Sequence, residues 1–210
     1  MNAMKPKYWQ EGKSFLAKSD FILEQLIRND DDKFILESKN DPIFTFCKII
    51  IGQQISISAA EAIFQRFEKI INKNFTTNNI LKTPEDKLKE AGFSKQKITY
   101  LKNICNLIDA GSLKFEHLAK LPDNIARKEL CKIHGIGPWS ADMFLIFNQL
   151  RPNILPLGDI GLIKMIEQFY NKGKKLNIAK IKEITKKWHP YTTIATWYLW
   201  RQCDAEPVYY

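Results

Sequence analysis

Apolar residues in this chain return almost everywhere at steps of three and four, and that period confines it to packed helices. Between Ser56 and Ile71, the set Ala60, Ile63, Phe64, Phe67, Ile70 and Ile71 falls on one side of a helix, while Glu61, Gln65, Arg66 and Glu68 take the other. From Ser94 onward Ile98, Leu101, Ile104, Cys105 and Ile108 make a second stripe that Gly111 ends, and Thr83-Pro84-Glu85 reads as a helix start. Further helices are expected at about 20–29, 42–52, 124–133, 138–149, 160–170, 177–188 and 191–202, with Asn72 to Asn79 a polar loop. The predicted class is all-α, with no internal repeat, Ser/Gly linker or low-complexity tail.

At 210 residues, 45% hydrophobic and 12% aromatic, the chain can bury a substantial core without disulfides. Its four cysteines, Cys47, Cys105, Cys131 and Cys203, show no CxxC spacing, so neither a zinc site nor an iron-sulfur cluster is expected and a reducing compartment fits. No apolar run approaches the roughly 20 residues of a membrane span. No apolar block follows the first lysines, so no secretory signal is expected and the cytoplasm is the expected location. The 32 Lys and Arg against 23 Asp and Glu leave a net charge of +9, which favours a polyanionic partner. The run Lys172, Lys174, Lys175, Lys180, Lys182, Lys186 and Lys187 reads equally well as a solvated face.

The most informative stretch is Leu130-Cys131-Lys132-Ile133-His134-Gly135-Ile136-Gly137-Pro138-Trp139-Ser140-Ala141-Asp142. One helix, expected to be capped by Asp123, runs to Ile133; a short turn with two glycines follows; a second helix begins with Pro138, where a missing N–H costs nothing. Bare amides at Gly135 and Gly137, with the positive end of the second helix, suit an anion such as a phosphate. An ordinary helical hairpin with a glycine C-cap has the same outline. Downstream, Asp159 in Leu155-Pro156-Leu157-Gly158-Asp159-Ile160-Gly161-Leu162 stands at the mouth of the next helix, either as its N-cap alone or also as a reactive carboxylate.

These residues resemble a known superfamily. The hairpin is similar to the helix-hairpin-helix consensus LxxIxGIGxxTA, with Ser140 in place of Thr, and Ile50-Ile51-Gly52-Gln53-Gln54-Ile55-Ser56-Ile57-Ser58-Ala59-Ala60 resembles the IIxQQxSxxAA segment of the DNA-3-methyladenine glycosylase II branch. Gly92-Phe93-Ser94-Lys95-Gln96-Lys97 resembles its GxSxxK turn, and Pro190-Tyr191 to Trp197-Tyr198-Leu199-Trp200-Arg201 its closing helix. The four motifs, in order over about residues 40–205, identify the chain as a member of the helix-hairpin-helix (HhH-GPD) DNA glycosylases.

The resemblance implies a single domain over 1–210 with two lobes, one a helical barrel over about 43–140 and the other made of about 1–42 plus 141–210, with a DNA-binding cleft between them. It implies double-stranded DNA containing a damaged base as partner, a monomer, no membrane partner, and association with the nucleoid through DNA binding. The expected reaction is hydrolysis of the N-glycosidic bond of alkylated purines, 3-methyladenine and also 7-methylguanine. Another lesion, oxidised, deaminated or mismatched, and a non-catalytic DNA-binding protein are the alternatives.

By the same resemblance Asp159 is the catalytic carboxylate, and Trp139 and Trp200 are base-pocket aromatics. Met143 stands where the branch has a pocket tyrosine, and Trp9 is read as lining the same cleft. An electron-rich aromatic face suits a cationic alkylated base, by about 0.5–2 kcal/mol per good contact. His134, Gly135, Ile136, Gly137 and Ser140 would hold the DNA backbone, aided by Ser94 and Lys95. Gln54, with Gln53 as neighbour, matches the wedge that fills the gap left by a flipped base, unless the two glutamines only end one helix and begin another. Bifunctional relatives carry a lysine where this chain has Trp139, so no Schiff-base lyase step is expected. No cofactor is expected beyond a structural Na or K at the carbonyls around Ile133 to Ile136.

Overall fold

The computed structural model describes residues 4–30 and 34–203. These residues form helices α1 (Trp9–Ser19), α2 (Phe21–Arg28), α3 (Pro42–Gly52), α4 (Ile57–Ile70), α5 (Thr77–Lys82) and α6 (Glu85–Ala91). There follow α7 (Lys95–Asp109), α8 (Phe115–Lys120), α9 (Asp123–Cys131), α10 (Pro138–Phe147), α11 (Ile160–Asn171), α12 (Ile178–Thr185), a 3-10 turn at Lys186–Trp188, and α13 (Thr192–Trp200). An isolated bridge between Met4 and Ser38 accompanies them. The fold class is all-α. Among the described residues no helix is long and apolar enough to cross a membrane.

The chain divides into two compact units, one within Met1–Ser38 and Leu145–Tyr209, the other within Lys39–Phe144. The second unit packs Phe44, Cys47 and Ile51 of α3 with Phe64 and Phe67 of α4, Leu88 of α6, and Ile98, Leu101 and Cys105 of α7. Phe44 meets both Phe64 and Phe75 edge-on, the arrangement that aromatic quadrupoles favour. Each large side chain removed from water contributes about 1.5–3 kcal/mol, so the apolar stripe legible in the sequence is what holds these helices together. Their starts are set by side chains: the Asp41 carboxylate accepts from Ile43 and Phe44 N–H, and Ser56 and Ser94 hydroxyls cap α4 and α7.

In the first unit α13 is buried on every side from Thr192 to Leu199. Within it the Thr193 hydroxyl donates to Arg151 O (2.6 Å) while accepting from Ile154 N–H (3.0 Å). Asp20 caps α2 and is itself buried. Its second oxygen accepts from Tyr170 OH (2.6 Å) and Trp188 Nε1 (2.8 Å) and lies 3.1 Å from Lys187 Nζ. One carboxylate thereby ties α1–α2 to α11 and to the 3-10 turn.

Several expectations change. Residues 77–79, read as loop, begin α5 because the Thr76 hydroxyl caps it, and the short helices α1 and α8 were not foreseen. Asp123 is the first residue of α9, not its cap; Pro122 occupies that place without a side-chain bond, and Asp123 instead sets negative charge at the helix's positive end. Thr83 turns its hydroxyl back to Asn79 O and closes α5, so α6 starts after Pro84. The helix expected to reach 149 stops at Phe147, and Leu150 enters the left-handed region at φ 50.

Candidate functional site

The turn between α9 and α10 is anchored by burying Ile133 and Ile136 while His134 and Gly137 stay exposed. Gly135 has φ +94, and a Cβ there would also run into the Tyr100 ring, so geometry and space both require glycine. A Cβ at Gly137 would meet no protein atom, which leaves the outer side of the turn open. The His134 ring lies edge-on to Tyr100 at 5.0 Å.

Two buried polar side chains on α10 hold the hairpin's shape. Ser140, 3% exposed, accepts from Gln53 Nε2 (2.9 Å), and the same nitrogen donates to Gly135 O (2.8 Å). Asp142, 2% exposed, pairs with Arg127 on α9 at 2.6 Å and so joins the two helices. Burial pushes the Asp142 carboxyl up to about 7, the Arg127 guanidinium pulling the other way. That value lies above the ~3.9 of an unfolded Asp, so folding favours the protonated form. The resulting stabilisation is complete below about pH 4 and is lost as pH rises through about 7. In thermal unfolding from pH 5 to 8, the wild type is therefore expected to lose stability relative to Asp142→Asn. A difference that stays flat across that range contradicts this assignment.

Close by in the same unit, Ser94 caps α7, Lys95 is exposed, and Lys97 Nζ donates to Ile51 O at the end of α3 (2.7 Å). Burial lowers the pKa of Lys97 from its usual value. Gln53 is the C-cap residue of α3, and Gln54 is exposed with φ 59.

The carbonyls read as a cation site are engaged. Ile133 O accepts from Ile136 N–H (2.9 Å), His134 O from Asn103 Nδ2 (3.5 Å) and Gly135 O from Gln53 Nε2 (2.8 Å). Each of these oxygens accepts one of these bonds and keeps a second lone pair. Among the described residues no three His, Cys, Asp or Glu side chains gather as a metal site.

In the other unit Asp159 is the N-cap of α11, half-buried, its Oδ1 accepting from Leu162 N–H (2.7 Å) and from Trp200 Nε1 (3.0 Å). The Trp200 ring stacks on Phe147 at 5.8 Å, so the donor is held by packing. Beside the carboxylate an open groove of about 450 Å³ is lined by Leu157, Gly158, Ile160 and Ile163, with Lys164, Lys175 and Glu167 as its other charged residues. Ile160 is 85% exposed, an apolar surface directly after the carboxylate.

Trp9 is 4% exposed and stacks on Tyr198 at 6.0 Å inside the first unit, and Met143 is 2% exposed inside the second. Trp139 is half-buried in the first turn of α10. The bracing by Gln53 and the Arg127–Asp142 strut were not read from sequence, since each joins residues that no local pattern pairs.

A family model described as the HhH-GPD superfamily of base excision DNA repair proteins matches residues 47–190. The chain is 32% identical over 164 residues to the putative DNA-3-methyladenine glycosylase YfjP of Bacillus subtilis, covering 75% of this chain and 57% of that protein. It thus spans little more than half the length of that relative. Among solved structures it is similar to a DNA-3-methyladenine glycosidase from Bacillus halodurans, with a TM-score of 0.75 and 31% identity over 97% of this chain and 93% of the other. It is also similar to the Schizosaccharomyces pombe 3-methyladenine DNA glycosylase Mag1 in complex with abasic DNA, with a TM-score of 0.79 and 26% identity over 91% and 95% of the two chains.

Proposed function

The chain belongs to the HhH-GPD superfamily of base excision DNA repair proteins, and from that premise we propose that it is a monofunctional glycosylase removing alkylated purines, 3-methyladenine foremost, from duplex DNA. The observation that carries the chemistry is the Asp159 carboxylate, oriented by Leu162 N–H and the Trp200 indole at the edge of the groove.

Most glycosidases need an acid for the leaving group and a second carboxylate for the oxocarbenium-like sugar. A purine methylated at N3 or N7 already leaves as a cation-derived neutral base, so the acid is dispensable. Asp159 then stabilises the positive sugar and orients or deprotonates the attacking water. Leu157, Ile160 and Ile163 give the deoxyribose an apolar wall, and Lys164 and Lys175 attract the flanking phosphates. The exposed amides around Gly137, at the N-terminus of α10, bind the DNA backbone without reading its sequence. Trp139 offers no amine where a lyase would need one, so water remains the final nucleophile.

Defined duplexes carrying one alkylated, oxidised, deaminated or mismatched base test this reading. Abasic sites are expected in the alkylated duplex, appearing as strand breaks only after alkali, with no borohydride-trapped adduct. Breaks without alkali, or a trapped adduct, contradict the monofunctional assignment. Absence of abasic sites in every duplex contradicts the glycosylase reading itself.

A further inference from the structure

The segment from Ile51 to Gln54 is fastened at two points. On one side Lys97 Nζ from α7 donates to Ile51 O (2.7 Å). On the other, the Gln53 side chain reaches Gly135 O and Ser140 Oγ at 2.8 and 2.9 Å. Gly135 O can only accept, so the Gln53 atom facing it must be the amide nitrogen, and both hydrogens of that nitrogen are then in use. The next residue, Gln54, is exposed and held at φ 59, a conformation that non-glycine residues keep only where the surrounding chain fixes them. Two large apolar side chains, Ile55 at 38% and Ile57 at 45% exposure, stand at the solvent beside it. A projecting polar tip flanked by apolar side chains suits insertion into an unstacked base step.

We propose that Gln53 is a positioning residue: its single amide sets the Gln54 tip in register with the turn that grips the DNA backbone, so that gripping and base eversion occur at one fixed spacing. This rests on the glycosylase reading above. Gln53 touches neither the sugar nor the base; it acts through Gln54 and through the turn. Lys97 closes the same segment from its far side, so the tip cannot shift along α3 without breaking a bond at one end.

The test is Gln53→Glu, which keeps the side-chain shape but turns acceptor oxygens toward Gly135 O. Three quantities are measured: binding to undamaged duplex, single-turnover base release from methylated duplex at saturating protein, and fluorescence of 2-aminopurine placed beside a tetrahydrofuran abasic analogue. Binding to undamaged duplex is expected to persist while release falls by about 10²-fold, the scale of an ångström-level misplacement, and the fluorescence gain shrinks. Gln53→Ala, which removes the amide without introducing charge, is expected to move release and fluorescence the same way by less, and serves if Gln53→Glu does not melt cooperatively. Wild-type release and fluorescence in both variants overturn the proposal alone. Binding lost in the same proportion as release also overturns it, since that is general damage. A wild-type protein that neither releases a base nor raises the fluorescence overturns the glycosylase reading and this inference with it.

Discussion

Asp159→Asn is expected to lower base release from methylated DNA by about 10²–10³-fold while leaving the fold and duplex binding intact. The separation is possible because Asp159 has two duties. Its Oδ1 accepts from Leu162 N–H and Trp200 Nε1, and an asparagine oxygen can accept both. Asparagine caps a helix about as well as aspartate, so α11 keeps its start. The substitution removes only the negative charge that would face a developing oxocarbenium ion. Single-turnover release with a melting curve checks both halves. Unchanged release would take Asp159 out of the mechanism, and a large fall in melting temperature would show that the cap, not the chemistry, had been lost.

Asp20→Ala is expected to cost more stability than Asp142→Asn, Ser140→Ala or Asp159→Asn. Five groups converge on this carboxylate: Ile22 and Leu23 N–H, Tyr170 OH, Trp188 Nε1 and Lys187 Nζ. Removing it leaves the buried Trp188 N–H and Tyr170 OH without their acceptor, at a cost of about 3–5 kcal/mol. For a chain of this size that is roughly 10 °C in melting temperature. Burial alone would raise the Asp20 carboxyl, but Tyr170, Trp188 and Lys187 more than offset it and hold the pKa below the usual value. The contribution is therefore present above the unfolded value of ~3.9 and is lost as pH falls through the folded value. The melting-temperature gap between wild type and Asp20→Ala should close in acid. A small gap that does not change with pH would contradict this role. Asp142 has the opposite sign, its stabilisation being lost toward neutral pH.

The sequence carried the helices and the motifs because both are local. The stripe from Ala60 to Ile71 became α4, and the glycines at 135 and 137 became the turn, because periodicity and φ preference act within a few residues. Asp159 was legible as a cap for the same reason. Short helices such as α8 escaped because six residues of mixed polarity carry too little pattern, and their stability comes from packing. The near-complete burial of Trp9 and Met143 within their own units was not legible, because burial depends on which face each helix turns inward. The bonds from Gln53 to Gly135, Arg127 to Asp142 and Asp20 to Trp188 join distant parts of the chain, and no spacing rule announces them.

The wider consequence is a division of labour between two kinds of buried polar group. Ser140 and Asp142 on α10 keep the turn between α9 and α10 in shape, and Asp20 keeps α11, whose N-cap is Asp159, joined to its neighbours. In each case a donor or acceptor that would be costly to leave unmade is used to fix geometry rather than to react.

The most direct measurement is chromatographic detection of free bases released by the wild-type protein from methylated duplex DNA. Free 3-methyladenine is expected in the supernatant, with abasic but uncut strands left behind. Methylated DNA that keeps all its bases under saturating protein, while still being bound, would contradict it.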